Sequence, residues 1–216
     1  MAAQQEDGEK GMTQPTSSLL DLFNLIQKKA PEYVDLLTST DDAAFEQAFD
    51  ALLEHAVHGL ESSSKDFAPL DENGLTSVLA LALAVPGLDI HREANSNGHV
   101  DLTIEFTYCY PLRKKLGEAK IYDGPEWHLK GLNQLLSRYT TGREGRGLLI
   151  AYVKKANIEG LIQKVRDKMD EDLPEQQQEA TADHPSKWRF LSRHLHSCGA
   201  ILEVGHVGCN LHLPNQ

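Results

Sequence analysis

A chain of 216 residues with 40% apolar side chains can form one cored domain with an elaboration, and nothing in it requires two. A formal net charge of −11 argues against a uniformly basic nucleic-acid binder, and the absence of a run of eighteen apolar residues argues against a membrane span. The opening MAAQQEDGEKGM has no apolar signal core, and Cys109, Cys198 and Cys209 lack C-x-x-C spacing, so we expect a soluble cytoplasmic or nuclear protein without a disulfide framework.

The charge is unevenly spread. Residues 1–75 carry four Lys or Arg against fifteen Asp or Glu, whereas residues 111–155 carry ten against four. A polyanion responds to such a local excess rather than to the total.

In chain order, residues 1–17 are polar and unpatterned, which predicts disorder. Residues 18–62 have helical periodicity through Leu19, Leu22, Phe23 and Ile26, then PEYVDLL, then Phe45, Phe49, Leu52, Leu53 and Val57, and read as an acidic helical appendage. SSSKDFAPLDEN reads as a connector, and an Ala- and Leu-rich helix runs from about Glu72 to Val85. The period then changes to two. GLDIHREA and GHVDLTIEF form a hairpin about NSNG, and LGEAKIY follows a second turn, giving three antiparallel strands. On the second strand Val100, Leu102, Ile104 and Phe106 are expected on one face and Asp101, Thr103 and Glu105 on the other.

Pro125 starts a helix through Tyr139, with Lys130, Gln134 and Arg138 at stride four on its polar face. GLLIAYVKK has the apolar run of a buried parallel strand, and NIEGLIQKVRDKM is an amphipathic helix. This gives an α/β core over residues 63–170. Residues 171–186 read as a flexible loop, and 187–216 as a helix (KWRFLSRHLHSC) and a strand that complete the core. His194, His196, Cys198, His206, Cys209 and His212 have no standard zinc spacing, so we read core cysteines and partly exposed histidines.

In GEAK, Glu118 and Lys120 lie two residues apart, hence on one face of their strand. Asp101 on the neighbouring strand can converge with Glu118 into a hard-cation site suited to Mg²⁺, with Mn²⁺ as a substitute. Lys120 would orient an attacking water or stabilise developing charge, with Gln134 facing it and Glu72 as a possible third carboxylate. The choice between Asp71 and Glu72 is open.

The order Glu72, Asp101, Glu118-Ala119-Lys120, Gln134 resembles the PD-(D/E)XK nuclease superfamily over roughly residues 70 to 155. That resemblance implies a restriction-endonuclease-like α/β/α core, with Asp101, Glu118 and Glu72 on the metal, Lys120 as the catalytic lysine and Gln134 as the helix glutamine. Val100 stands where the family name has proline. The RecB-like branch carries Gln-x-x-x-Tyr, whereas Arg138 holds that spacing here and Tyr139 follows it.

The expectation is therefore a Mg²⁺-dependent DNA endonuclease, with Arg113, Lys114, Lys130, Arg138 and Arg143 on the nucleic acid. An RNA-cleaving enzyme or a catalytically idle binding subunit of the same fold is the alternative. The acidic N-terminal helices would dock a protein partner, a second subunit or the molecule's own basic face. A chain beginning near residue 62 would then keep the chemistry.

Overall fold

A computed structural model describes residues 18–95, 99–108 and 112–214. The expected disordered terminus, the tip of the first hairpin and Cys109 lie outside these residues. Seven helices and a seven-stranded mixed sheet are present among them: α1 (Leu19–Lys29), α2 (Pro31–Thr38), α3 (Asp42–Ser62), α4 (Ser64–Phe67), α5 (Glu72–Leu83), β1 (Leu88–Asn95), β2 (His99–Phe106), β3 (Arg113–Ile121), α6 (Pro125–Gln134), β4 (Gly147–Val153), α7 (Ile158–Asp172), β5 (Ala182–Asp183), β6 (Arg189–Leu195) and β7 (Ile201–Asn210). A π-helical turn, Leu135–Tyr139, extends α6.

The sheet order is β1-β2-β3-β4-β7-β6-β5, in which β3, β4 and β7 are parallel and the remaining pairs antiparallel. Parallel strands buried on both faces read as continuous apolar runs, and every residue of β4 is buried. No helix among the described residues is long and apolar enough to cross a membrane.

Each face of the sheet has its own core. On the first, Leu102, Ile104, Phe106, Ala119, Ile150 and Tyr152 pack against α5 and α3. On the second, Leu116, Leu149, Ala151, Val204 and Phe190 pack against α6, the π turn and α7. Val100 belongs to the second core, not to the face of Leu102. Pairing of β2 with β3 ends at Leu102↔Gly117, so the start of β2 is not held to the pleat of β3.

The stretch read as an acidic appendage is divided. α1 has no buried residue, whereas α3 contributes Phe45, Phe49, Leu52, Leu53, Val57 and Leu60 to the first core. α3 is thus part of the helical layer over the sheet. Its stride-three-and-four pattern marks an apolar stripe but does not say which partner covers it.

Two further expectations change at the C-terminus. KWRFLSRHLHSC contains strand β6 rather than a helix: Phe190, Ser192 and His194 are buried at stride two, a period that the polar and charged residues around them masked. Residues 171–186 are more structured than their polar composition suggested, since α7 runs to Asp172, Gln177 bridges to His194 and Ala182–Asp183 add an edge strand.

Candidate active site

β3 carries the central pair. Lys120 Nζ lies 2.6 Å from Glu118 Oε1 and 3.4 Å from Glu72 Oε1. Glu72 Oε2 accepts from the Ile121 N–H at 3.0 Å, and Asp101 Oδ2 accepts from the Ala119 N–H at 2.9 Å. Asp71 caps α5, accepting from the Gly74 N–H at 2.8 Å, so that of the two acidic residues Glu72 is the one that reaches β3.

Four groups from α5, β2 and β3 thus meet. Glu118 is the most buried, with 1% of its side chain exposed, and among the described residues its Oε2 has no hydrogen-bond partner. Burial pushes its carboxyl up to about 7; the Lys120 bond and charge oppose this, while the charges of Asp101 and Glu72 add to it. Burial also works against the Lys120 charge, but the bond to Glu118 and the fields of Glu118, Glu72 and Asp101 outweigh it and hold the ammonium above its ordinary range.

Helix α6 covers the pair, and a glycine permits the approach. A Cβ on Gly131 would stand 3.0 Å from Leu149 Cδ1, 3.5 Å from Lys120 Cγ and 3.6 Å from Glu118 Cγ. Sequence reasoning passed over this residue, although a glycine inside a helix costs about 1 kcal/mol relative to alanine and so marks a packing need.

The π turn closes with the Thr140 N–H donating to Leu135 O, a bond spanning five residues. The extra residue turns Tyr139 inward, and its hydroxyl is raised first by burial and then by the charges of Glu118 and Asp101. Arg138 stays exposed.

Beside Lys120 opens a cavity of about 520 Å³, lined among others by Trp127, Lys130, Gln134 and Arg138. The site therefore brings together Asp101, Glu118, Lys120 and Glu72, with Gln134, Lys130 and Arg138 along an adjoining recess. Arg113, Lys114 and Arg143 are not there. They line a separate cavity of about 1000 Å³ facing α3, with Asp42, Glu46 and Arg146. Strand rise alone puts Arg113 roughly 20 Å from Lys120. Arg113 pairs with Asp42 at 2.9 Å, Lys114 with Glu105 at 3.2 Å, and Arg146 with Asp50 at 2.8 Å and Glu203 at 2.6 Å. Much of the basic segment is neutralised within the fold, because a charge count along the chain does not register partners distant in sequence.

Of the C-terminal histidines, His194 and His206 are buried rather than partly exposed and join His128 in one chain, whereas His196 and His212 are half-buried as expected. Cys209 lies in the core, but Cys198 is exposed, against the expectation for it. His128 Nε2 lies 2.9 Å from His206 Nδ1, Ser192 Oγ lies 2.7 Å from both His206 Nε2 and His194 Nε2, and His194 Nδ1 lies 3.2 Å from the Glu175 carbonyl. The carbonyl can only accept, so His194 donates to it from Nδ1. Ser192 then donates to His194, His206 to Ser192 and His128 to His206, which leaves His128 Nδ1 a bare, buried acceptor without a partner among the described residues. Burial pushes His128 down to about 4 and His206 well below the ordinary imidazole value.

Among the described residues no group of three or more His, Cys, Asp or Glu side chains is placed to hold a metal ion. The unpartnered Glu118 oxygen, on a carboxyl pushed up first by burial and then by the charges of Asp101 and Glu72, marks a place short of positive charge, and a hard cation such as Mg²⁺ needs only one or two protein carboxylates with water. No family model, curated protein or solved structure matches the chain.

Proposed function

We propose that the chain is a Mg²⁺-dependent nuclease that hydrolyses phosphodiester bonds of DNA, on a restriction-endonuclease-like core of the PD-(D/E)XK kind. The observation that carries this reading is the buried Glu118 carboxylate with one oxygen on Lys120 and the other unpartnered, beside Asp101. Support comes also from the order of elements: α5 with Glu72, the antiparallel β1-β2-β3 with Asp101 and Glu118-x-Lys120, then α6 with Gln134 crossing to the parallel β4. The inward Tyr139, one residue beyond the branch spacing but restored by the π turn, is consistent with the RecB-like signature.

Glu118 and Asp101 would hold the ion, which when bound supplies Lewis acidity and an activated water. Glu72, bonded to Lys120 and to the backbone of Ile121, positions the lysine rather than the ion. Lys120 keeps its proton at neutral pH, so its role is to stabilise negative charge developing on the phosphate oxygens, not to abstract a proton.

The test is incubation of the full chain with supercoiled plasmid, linear duplex, single-stranded DNA and RNA, with and without Mg²⁺ or Mn²⁺. Metal-dependent cleavage of DNA that disappears in Asp101→Asn is the expected result. Cleavage of RNA alone would move the substrate. Binding without any cleavage would leave the fold as an idle assembly module.

A further inference from the structure

The recess beside Lys120 has features that hydrolysis of a generic phosphodiester does not require. Its cavity of about 520 Å³ is of the size that takes a small molecule and is too small for a duplex. Trp127 lines it and is 41% exposed, and Lys130 holds its ammonium 4.9 Å from the centre of the indole. The charges are unbalanced in a useful way. Glu175 accepts from Asn133 at 2.7 Å and Glu126 lies 3.6 Å from Lys168, so both lining carboxylates are engaged. Lys130 and Arg138 make no ion pair among the described residues, and the Gln134 amide there has no hydrogen-bond partner. An exposed, large aromatic surface with two cations outside any ion pair and an amide without a hydrogen-bond partner among the described residues matches the three parts of one nucleotide: base, phosphate and polar base edge.

Resting on the nuclease reading, we propose that this recess receives one unpaired nucleotide of the DNA substrate, its base stacked on Trp127 and its phosphate held by Lys130 and Arg138. The enzyme then cuts at single-stranded ends or flaps rather than within continuous duplex. Stacking of a base on an aromatic side chain outweighs an exposed cation-π contact, so an arriving base displaces Lys130 from the indole and releases it to the phosphate. A base inside a continuous duplex is covered on both faces by its neighbours and reaches Trp127 only after unstacking.

The chain has two tryptophans, so a Trp188→Phe background makes Trp127 the sole indole reporter. The full chain in EDTA is titrated with a short single-stranded DNA, a blunt duplex of that sequence and the corresponding RNA. Single-stranded DNA is expected to quench the emission. In affinities measured by anisotropy of a labelled strand, Trp127→Ala weakens single-strand binding roughly tenfold. Trp127→Phe keeps most of that affinity, and duplex binding is indifferent to either change. Lys130→Ala lowers the salt slope for the single strand by about 0.7. Equal affinity for duplex and single strand, insensitivity to Trp127→Ala, or a preference for RNA overturns the proposal. The two readings fail separately. If Trp127→Ala cuts a flapped substrate with Mg²⁺ as fast as the parent, the nuclease stands and the recess assignment falls. If the parent cuts nothing while the quench persists, the nuclease reading falls and the recess remains a single-strand site.

Discussion

Lys115 Nζ lies 2.6 Å from Glu46 Oε1, joining β3 to α3 through an ion pair whose lysine is 2% exposed. Burial lowers the Lys115 pKa and Glu46 works to restore it, so the carboxylate is what keeps a charge in that place. Removing one partner of a buried pair costs about 3–5 kcal/mol, whereas replacing both with apolar groups is often neutral. Glu46→Ala should therefore lower the urea midpoint sharply, and Glu46→Leu with Lys115→Met should recover most of the loss. A Glu46→Ala variant within about 0.5 kcal/mol of the parent would assign the pair no structural weight.

The same helix decides what truncation does. A chain beginning near Ser62 loses Phe45, Phe49, Leu52, Leu53, Val57 and Leu60 and bares the side of the sheet and α5 that they cover. It should lose near-ultraviolet circular dichroism and a cooperative transition. Deleting residues 1–29 removes only α1 and what precedes it, and since α1 buries nothing the transition should survive. Cooperative unfolding of the shorter chain would restore the appendage reading.

How far the sequence carried these conclusions varied with the kind of evidence each element needed. The hairpin, α6 and β4 were legible because period two, a proline at the helix start and an unbroken apolar run are local signals. β6 was not, since Arg189, Ser192, Arg193 and His194 hide a buried alternation in which Ser192 and His194 are satisfied by each other, by His206 of β7 and by the Glu175 carbonyl. Among the site residues, Glu118 and Lys120 share a face as strand parity predicts, whereas parity fails around Asp101, because Val100 and Leu102 lie in different cores. The roles of Glu72 against Asp71 needed the cap geometry, and Tyr139 needed the π turn. Arg113, Lys114 and Arg143 lie at another cavity, and the first two are paired with Asp42 and Glu105, because composition counts charges without their places or partners.

Glu118→Gln should abolish Mg²⁺-dependent cleavage without weakening the fold at alkaline pH. A carboxyl raised in the folded state from 4.5 to about 7 adds stability below about 4.5 that is lost as the pH rises through 7. At pH 8 the parent therefore carries a buried, incompletely compensated charge that the amide lacks. Thermal unfolding of the variant at pH 8 should match or exceed the parent. A variant that cleaves normally removes Glu118 from the site.

Gly131→Val should impair cleavage more than binding. Its side chain would meet Leu149, Lys120 and Glu118 at or within contact distance, so α6 must lift or the pair must turn. A cost of about 1–3 kcal/mol is expected in stability. The turnover rate should fall further than that loss of folded protein accounts for, with Gly131→Ala intermediate. Equal single-turnover rates in all three proteins would show that the helix does not hold the Glu118–Lys120 geometry.

The histidine chain should make the fold sensitive to mild acid. His128 is pushed down to about 4 by burial, His206 lies well below its ordinary value and His194 is also lowered by burial. Groups depressed in this way bind protons more readily in the unfolded chain, so stability is full above about pH 6.5 and falls as the pH drops toward 4. His128 alone accounts for about 3 kcal/mol of that change. The direct comparison is urea unfolding at pH 7.5 and pH 4.5 for the parent and for a His128→Leu, His206→Leu double variant. That variant removes two titrating groups while keeping the Ser192–His194 bond. Carboxylates contribute equally to both proteins, so the double variant should lose less stability between the two pH values than the parent. An identical loss in both would mean that these imidazoles accept protons in the folded state, and the donor order from His128 to Glu175 would have to be abandoned.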